Sequence, residues 1–125
     1  MLSVRLPLVL ACTLAALAPA SAQAPARITI YIDSYRFAPN PLRLIAGKPV
    51  RLEFVNQSGQ SHDFTAPQFF AASRILAGNP AGGEVELRGG ERATVDLVPA
   101  AGRYKVHCSH FFHAQLGMRA TIIVG

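Results

Sequence analysis

Cys108, His113 and Met118 stand in one short stretch near the C-terminal end, each separated from the next by four residues. A thiolate, an imidazole and a thioether are soft to borderline donors, and together they suit copper better than a hard cation. A second imidazole, His62, follows a strand-like run far upstream. Two His and one Cys in a near-trigonal arrangement, with a weak axial Met, is the donor set of copper sites that pass single electrons. The residues also have plainer readings one by one. Cys108 would serve as a buried inert thiol, Met118 as core filler and His62 as a loop cap, whereas His113 has the ligand spacing and little else to do. Taken together, the four favour a metal.

The cysteine count supports the same reading. Met1 to Arg5 carries one positive charge, Leu6 to Leu17 is an apolar run, and Ala18-Pro-Ala-Ser-Ala-Gln-Ala24 is small and breaker-rich. That order is the pattern of a secretory signal peptide. Ala20-Ser-Ala22 and Ala22-Gln-Ala24 both satisfy the small-x-small cleavage rule. Cutting after Ala22 is preferred, because cutting after Ala24 would put Pro25 directly beyond the scissile bond. Residues 1–22 are therefore expected to leave, and 27–125 to form the folded domain. A rival reading lipidates Cys12 as a lipoprotein anchor, but the apolar run continues well past it. Once the signal is gone, Cys108 is the only cysteine. Exported proteins normally pair their cysteines, and a lone thiol there is open to oxidation unless it is buried or metal-bound.

A chain of 125 residues, half of them hydrophobic, makes one domain with a packed core. Nine Pro and ten Gly suit short strands joined by turns. Beyond residue 22 no apolar stretch is long enough to span a membrane. Arg5 is the signal's only charge, which leaves 11 Lys/Arg against 7 Asp/Glu, a net charge of +4. These cations are scattered along the sequence, not in a run. They fit an acidic redox partner or an anionic surface, but ordinary surface solubilisation is the favoured reading, and there is no nucleic-acid motif.

The periodicities position the donors. Ile28, Ile30 and Ile32 alternate with polar residues, as do Val50, Leu52 and Phe54, and Ala93, Val95 and Leu97. Each run reads as a half-buried strand. Tyr35 to Pro41 reads as turn punctuation, with Phe37 plugging the core, and Asn56-Gln-Ser-Gly returns the chain toward His62. Thr65-Ala-Pro-Gln68 has the form of a capping box, which predicts a helix over Phe69 to Leu76 stopped by Gly78. Tyr104, Val106 and Cys108 share one parity and His107 the other, so Cys108 faces the core and His107 solvent. Met118, Ala120, Ile122 and Val124 share a parity on the return strand. Seven to eight short strands and one brief helix describe an all-β sandwich.

The chain resembles the cupredoxins, the type 1 blue-copper family, across the whole mature domain. The resemblance rests on Asn56 and His62 upstream, a Gly-x-Tyr lead-in at Gly102 and Tyr104, and Cys108-x4-His113-x4-Met118 downstream. The last spacing is most similar to that of the rusticyanins; plastocyanin-like members usually have two residues between Cys and His. The resemblance implies a Greek-key sandwich with one mononuclear copper at one pole, held by His62, Cys108, His113 and Met118. It implies a non-enzymatic carrier of single electrons in the periplasm of a Gram-negative bacterium, expected to be monomeric, with a cytochrome or reductase as partner. Phe64, Phe111 and Phe112 are expected to wrap the site and exclude water. Where many family members have Asn after the first His, this chain has Asp63, expected to strap to Ser109 and to bring negative charge near the copper.

His107 and His110 remain. Multicopper oxidases use a His before the Cys to reach a trinuclear cluster, but that cluster needs many more His ligands than the four present. His110 is an alternative ligand, a second weak copper contact or a polar surface residue, with the surface reading favoured. A periplasmic copper-delivery or resistance protein, using His107 and His110 as entry ligands, is the alternative function.

Overall fold

The computed structural model describes residues 1–4, 7, 10–19 and 24–125. Arg5, the charge of the expected signal peptide, and the expected cleavage site after Ala22 lie outside the described residues. No described helix is long and apolar enough to cross a membrane.

Among the described residues, ten strands form two five-stranded sheets. The first contains β1 (Ala26–Asp33), β2 (Arg36–Ala38), β4 (Val50–Asn56), β6 (Arg74–Ala77) and β8 (Arg92–Val98), in the order β2-β1-β4-β8-β6. The second contains β3 (Leu42–Leu44), β5 (His62–Thr65), β7 (Glu84–Leu87), β9 (Gly102–His107) and β10 (Arg119–Val124), in the order β3-β10-β9-β5-β7. The all-β sandwich is as expected, with more strands than the seven to eight anticipated. Tyr35 to Pro41 contains β2, which pairs with β1 through Ile32 and Phe37.

Alternation decides which residues meet between the sheets. Ile30 and Ile32 from β1, Leu52 and Phe54 from β4, and Val95 and Leu97 from β8 face Val106 and Ile122 from the second sheet, all nearly or fully buried. Phe64 sits among them, with ring centroids 5.5 Å from Phe37 and 5.0 Å from Phe54. Between β8 and β9, the Tyr104 hydroxyl donates back to the Ala100 carbonyl at 2.9 Å. Glycine is favoured at 102, where φ is +153° and a Cβ would stand 3.0 Å from the Tyr104 ring.

The helix differs from expectation. It covers only Pro67–Ala72, with Ala66 at the N-cap and no side-chain cap. Thr65 does not form a capping box; its hydroxyl donates to Asp63 Oδ1 at 2.6 Å. Residues 74–77 leave the helix to pair with β8 as an edge strand, and Gly78 turns the chain where a Cβ would meet the Thr94 carbonyl at 2.6 Å. Backbone pairing with β8 outweighs the weak helical preference of a short apolar run.

Candidate metal centre

His62 opens β5, Cys108 follows the last residue of β9, and Met118 precedes the first residue of β10. Because β9 lies between β5 and β10, three separate strand ends converge on one pole. Asn56 delivers His62 there. Its buried amide donates to the carbonyls of Gln60 at 2.7 Å and Arg88 at 3.0 Å, while its Oδ1 accepts from the Ser58 hydroxyl at 2.7 Å. The 56–62 turn is thereby closed on itself and tied to the end of β7.

His62 Nδ1 lies 3.1 Å from His113 Nδ1 and 3.9 Å from Cys108 Sγ, and Cys108 Sγ lies 3.5 Å from His113 Nδ1. Donors about 2.0–2.3 Å from a shared first-row ion in a trigonal arrangement stand about 3.5–3.8 Å apart, so this triangle fits one ion. The donor chemistry, two imidazoles and a thiolate, suits copper. Met118 is fully buried in the same apolar cluster as Cys108. Two backbone bonds hold it beside the triangle: Cys108 N–H donates to the Met118 carbonyl at 3.1 Å, and Met118 N–H donates to the His113 carbonyl at 3.0 Å.

The electrostatics follow from burial. Desolvation pushes the His62 imidazole below its usual range, and the nearby His113 and His110 rings add to the shift. His62 is therefore neutral at neutral pH, with a ring nitrogen free to bind a metal. Burial raises the Cys108 thiol, opposed by the Asp63 N–H that points at Sγ from 3.4 Å. Without a metal the sulfur keeps its proton, and metal binding must displace it.

Around the triangle, Asp63 is buried on the opposite face of β5 from His62. Its Oδ1 accepts from the Ser109 N–H at 2.9 Å, and its Oδ2 accepts from the Ser109 hydroxyl. This strap ties the strand carrying His62 to the residue after Cys108. The sequence reading missed Ser34, whose hydroxyl lies 2.8 Å from His62 Nε2. With Nδ1 aimed at the other donors, Ser34 holds the far side of the ring, as groups behind a metal ligand do. It also missed Tyr35, whose ring centroid lies 5.0 Å from that of His113. Both sit in the β1–β2 turn, and no local sequence signal links them to His62.

Phe111 and Phe112 do not wrap the site. They are 82% and 57% exposed, with ring centroids 4.0 Å apart. The segment between Cys108 and Met118 folds as successive turns; its inward positions go to the donors, and the residues between them face out. The aromatic ring beside the centre is instead that of Tyr35, 6.1 Å from the His62 ring and 5.0 Å from the His113 ring, while Phe64 is buried among Phe37, Phe54 and Phe70 in the core. His107 lies on the outer face of β9, in register with Arg119 and Thr65, away from the triangle. His110 stacks on His113 at 5.5 Å and directs Nε2 to Glu86 at 2.9 Å, with Asp63 Oδ2 at 3.7 Å. It is not part of the triangle.

The same architecture occurs in solved proteins. Auracyanin B is 26% identical, with a TM-score of 0.59 over 83% of this chain and 92% of its own. Auracyanin A from the green thermophilic photosynthetic bacterium Chloroflexus aurantiacus, described as a "blue" copper protein, is 22% identical, with a TM-score of 0.59 over 82% of this chain and all of its own. A multicopper oxidase from Campylobacter jejuni shares the fold at 14% identity and a TM-score of 0.63, over 87% of this chain but 32% of its own. No curated protein sequence matches the chain. The profile of the cupredoxin-like domain matches residues 6–124, nearly the whole chain, and the two-sheet sandwich agrees with it: this protein belongs to the cupredoxin-like family.

Proposed function

We propose that the chain is an exported type 1 (blue) copper protein that carries single electrons between redox partners, such as a cytochrome and a reductase, in the periplasm of a Gram-negative bacterium. The observation that carries this reading is the buried triangle of His62 Nδ1, Cys108 Sγ and His113 Nδ1, with edges of 3.1–3.9 Å. The likeness to auracyanin B supports it, as does a signal-like N-terminus that leaves one thiol in the mature chain. Copper would be held by these three residues with Met118 beside them, and would supply the one-electron couple.

The protein's own residues keep the site from rearranging between oxidation states. Ser34 fixes the His62 ring, the Asp63–Ser109 strap joins two ligand-bearing segments, and the Cys108–Met118 backbone bond fixes the distance between the sulfur residues. Burial of His62, Cys108 and Met118 excludes water on one side. His113 is only half-buried, and its ring is the electron's way out.

Adding Cu(II) to the metal-free mature protein and recording visible and EPR spectra tests the proposal. One copper per chain and an intense thiolate-to-copper band are expected, and Cys108→Ala should abolish the colour. A colour that survives Cys108→Ala would overturn the ligand assignment.

One observation favours copper capture or delivery as a second reading. His110, Glu86 and Asp63 present ligand atoms within 4.8 Å of one another beside the main triangle, so His110 has the company an entry ligand needs; His107 does not. A delivery protein exchanges copper rapidly with a competing chelator, whereas an electron carrier retains it.

A further inference from the structure

The cations that are scattered in sequence are not scattered on the surface. Register sets three rows on the outer face of the second sheet: Arg43, Ile123 and Arg103 side by side, then Thr121 beside Lys105, then Arg119 beside His107. Their neighbours Leu42, Leu44, Val106, Ile122 and Val124 are buried, so alternation points these rows outward. Arg43, Arg103, Lys105 and Arg119 are all exposed. Strand spacing and rise make the patch roughly 10 Å across and 13 Å long.

Among the described residues, none of these four cations lies in an ion pair, since the pairs present involve other residues. The first sheet's outer face is arranged differently. There Arg27 meets Glu53 at 2.9 Å and Arg51 meets Asp96 at 2.7 Å. On the second sheet the carboxylates are Glu84 and Glu86 on β7, beyond β5, and Asp63 on β5; Glu86 is engaged by His110, and Asp63 is buried and held by Ser109 and Thr65. Positive charge on β3, β10 and β9 is thus uncompensated. Its upper row, Arg119 and His107, follows Met118 and precedes Cys108 directly, so the patch runs up to the flank of the metal pole.

We infer that this face of β3, β10 and β9 docks an acidic protein through its carboxylates; that this protein is the redox partner rests on the electron-carrier reading above. Three of the four cations are Arg, whose planar fork binds carboxylates in a bidentate way. An unpaired patch of one sign also steers an oppositely charged partner and raises its association rate. An anionic lipid surface is the weaker match, because Ile123 is the one large apolar side chain within these rows and it is half-buried.

The test is a titration of isotope-labelled mature protein with poly-L-glutamate, followed by NMR, in metal-free and copper-loaded forms. Shift changes should concentrate on β3, β9 and β10, and affinity should fall roughly tenfold or more between low and physiological salt. Arg103→Gln/Lys105→Gln should weaken binding about tenfold, whereas Arg27→Gln on the ion-paired sheet should not. Shifts spread over the whole surface, or full binding by the double variant, would overturn the proposal. So would tighter binding of the same residues to phosphatidylglycerol vesicles than to poly-L-glutamate. The wild-type shift map needs no variant and stands if a substitution impairs folding. Binding is expected with or without metal, so failure of the copper reading would show as missing colour, with the shift map intact.

Discussion

Asp63 offers a sharp perturbation because its carboxylate is 1% exposed and lies against the ligand-bearing segments. The Ser109 N–H at 2.9 Å, the Ser109 hydroxyl and the Thr65 hydroxyl at 2.6 Å all donate to it, and its own N–H reaches Cys108 Sγ at 3.4 Å. Asp63→Asn preserves the shape and one acceptor oxygen, and its new amide can donate to Ser109 Oγ, so the strap survives while the charge goes. The oxidised centre carries one more positive charge than the reduced one, so the native carboxylate favours the oxidised state and its removal raises the reduction potential. At a separation of about 8 Å and an effective dielectric near 20, a unit charge contributes on the order of 2 kcal/mol. For a one-electron couple that is about 90 mV. Solvent screening reduces the interaction, so about 90 mV is an upper bound. Voltammetry of the copper-loaded variant, with its visible spectrum as a control on geometry, makes the measurement. A preserved spectrum with an unchanged or lowered potential would show that the centre does not feel the carboxylate, and would refute the reasoning.

Met118→Leu, close in volume, should cost under about 1.5 kcal/mol of stability. It should keep bound copper with an altered spectrum and a higher potential, since an axial thioether tunes more than it binds; loss of copper would count against an axial role. Phe64→Ala should lower unfolding free energy by about 3–5 kcal/mol in urea, because Phe64 packs on Phe37, Phe54 and Phe70 in the centre of the sandwich; a loss near zero would contradict that packing. The metal-free protein should be most stable between the ordinary His and Cys values of 6.5 and 9.0. His62 is lowered on folding, so its contribution is lost as pH falls below 6.5. Cys108 is raised on folding, so its contribution is lost as pH rises above 9.0. Thermal melts across pH check both limbs, and a maximum outside this window would contradict the assigned directions.

Much of the architecture is local information. Alternation in Ile28–Ile32, Val50–Phe54, Ala93–Leu97 and Tyr104–Cys108 determines which side of each strand is buried, because successive side chains point to opposite faces. The same parity turns Cys108 inward and His107 outward. The residue types at 62, 108, 113 and 118 determine the donor chemistry. The segment after Ala66 shows where local information fails. Phe69 to Leu76 reads as one helix, yet only Pro67–Ala72 is helical, because Arg74–Ala77 finds a partner in β8.

What lies next to what is decided by strand pairing across long separations. Ser34 reaches His62, and Glu86 reaches His110, only because particular strand ends share a pole. The turns between Cys108 and Met118 leave Phe111 and Phe112 facing solvent, although their apolar character suggested shielding. The cations on β3, β9 and β10 become a patch only through the register of three strands that are not consecutive in sequence. A side chain's type and parity are properties of its own segment, whereas its neighbours depend on hydrogen-bond ladders that close only when the whole sandwich forms.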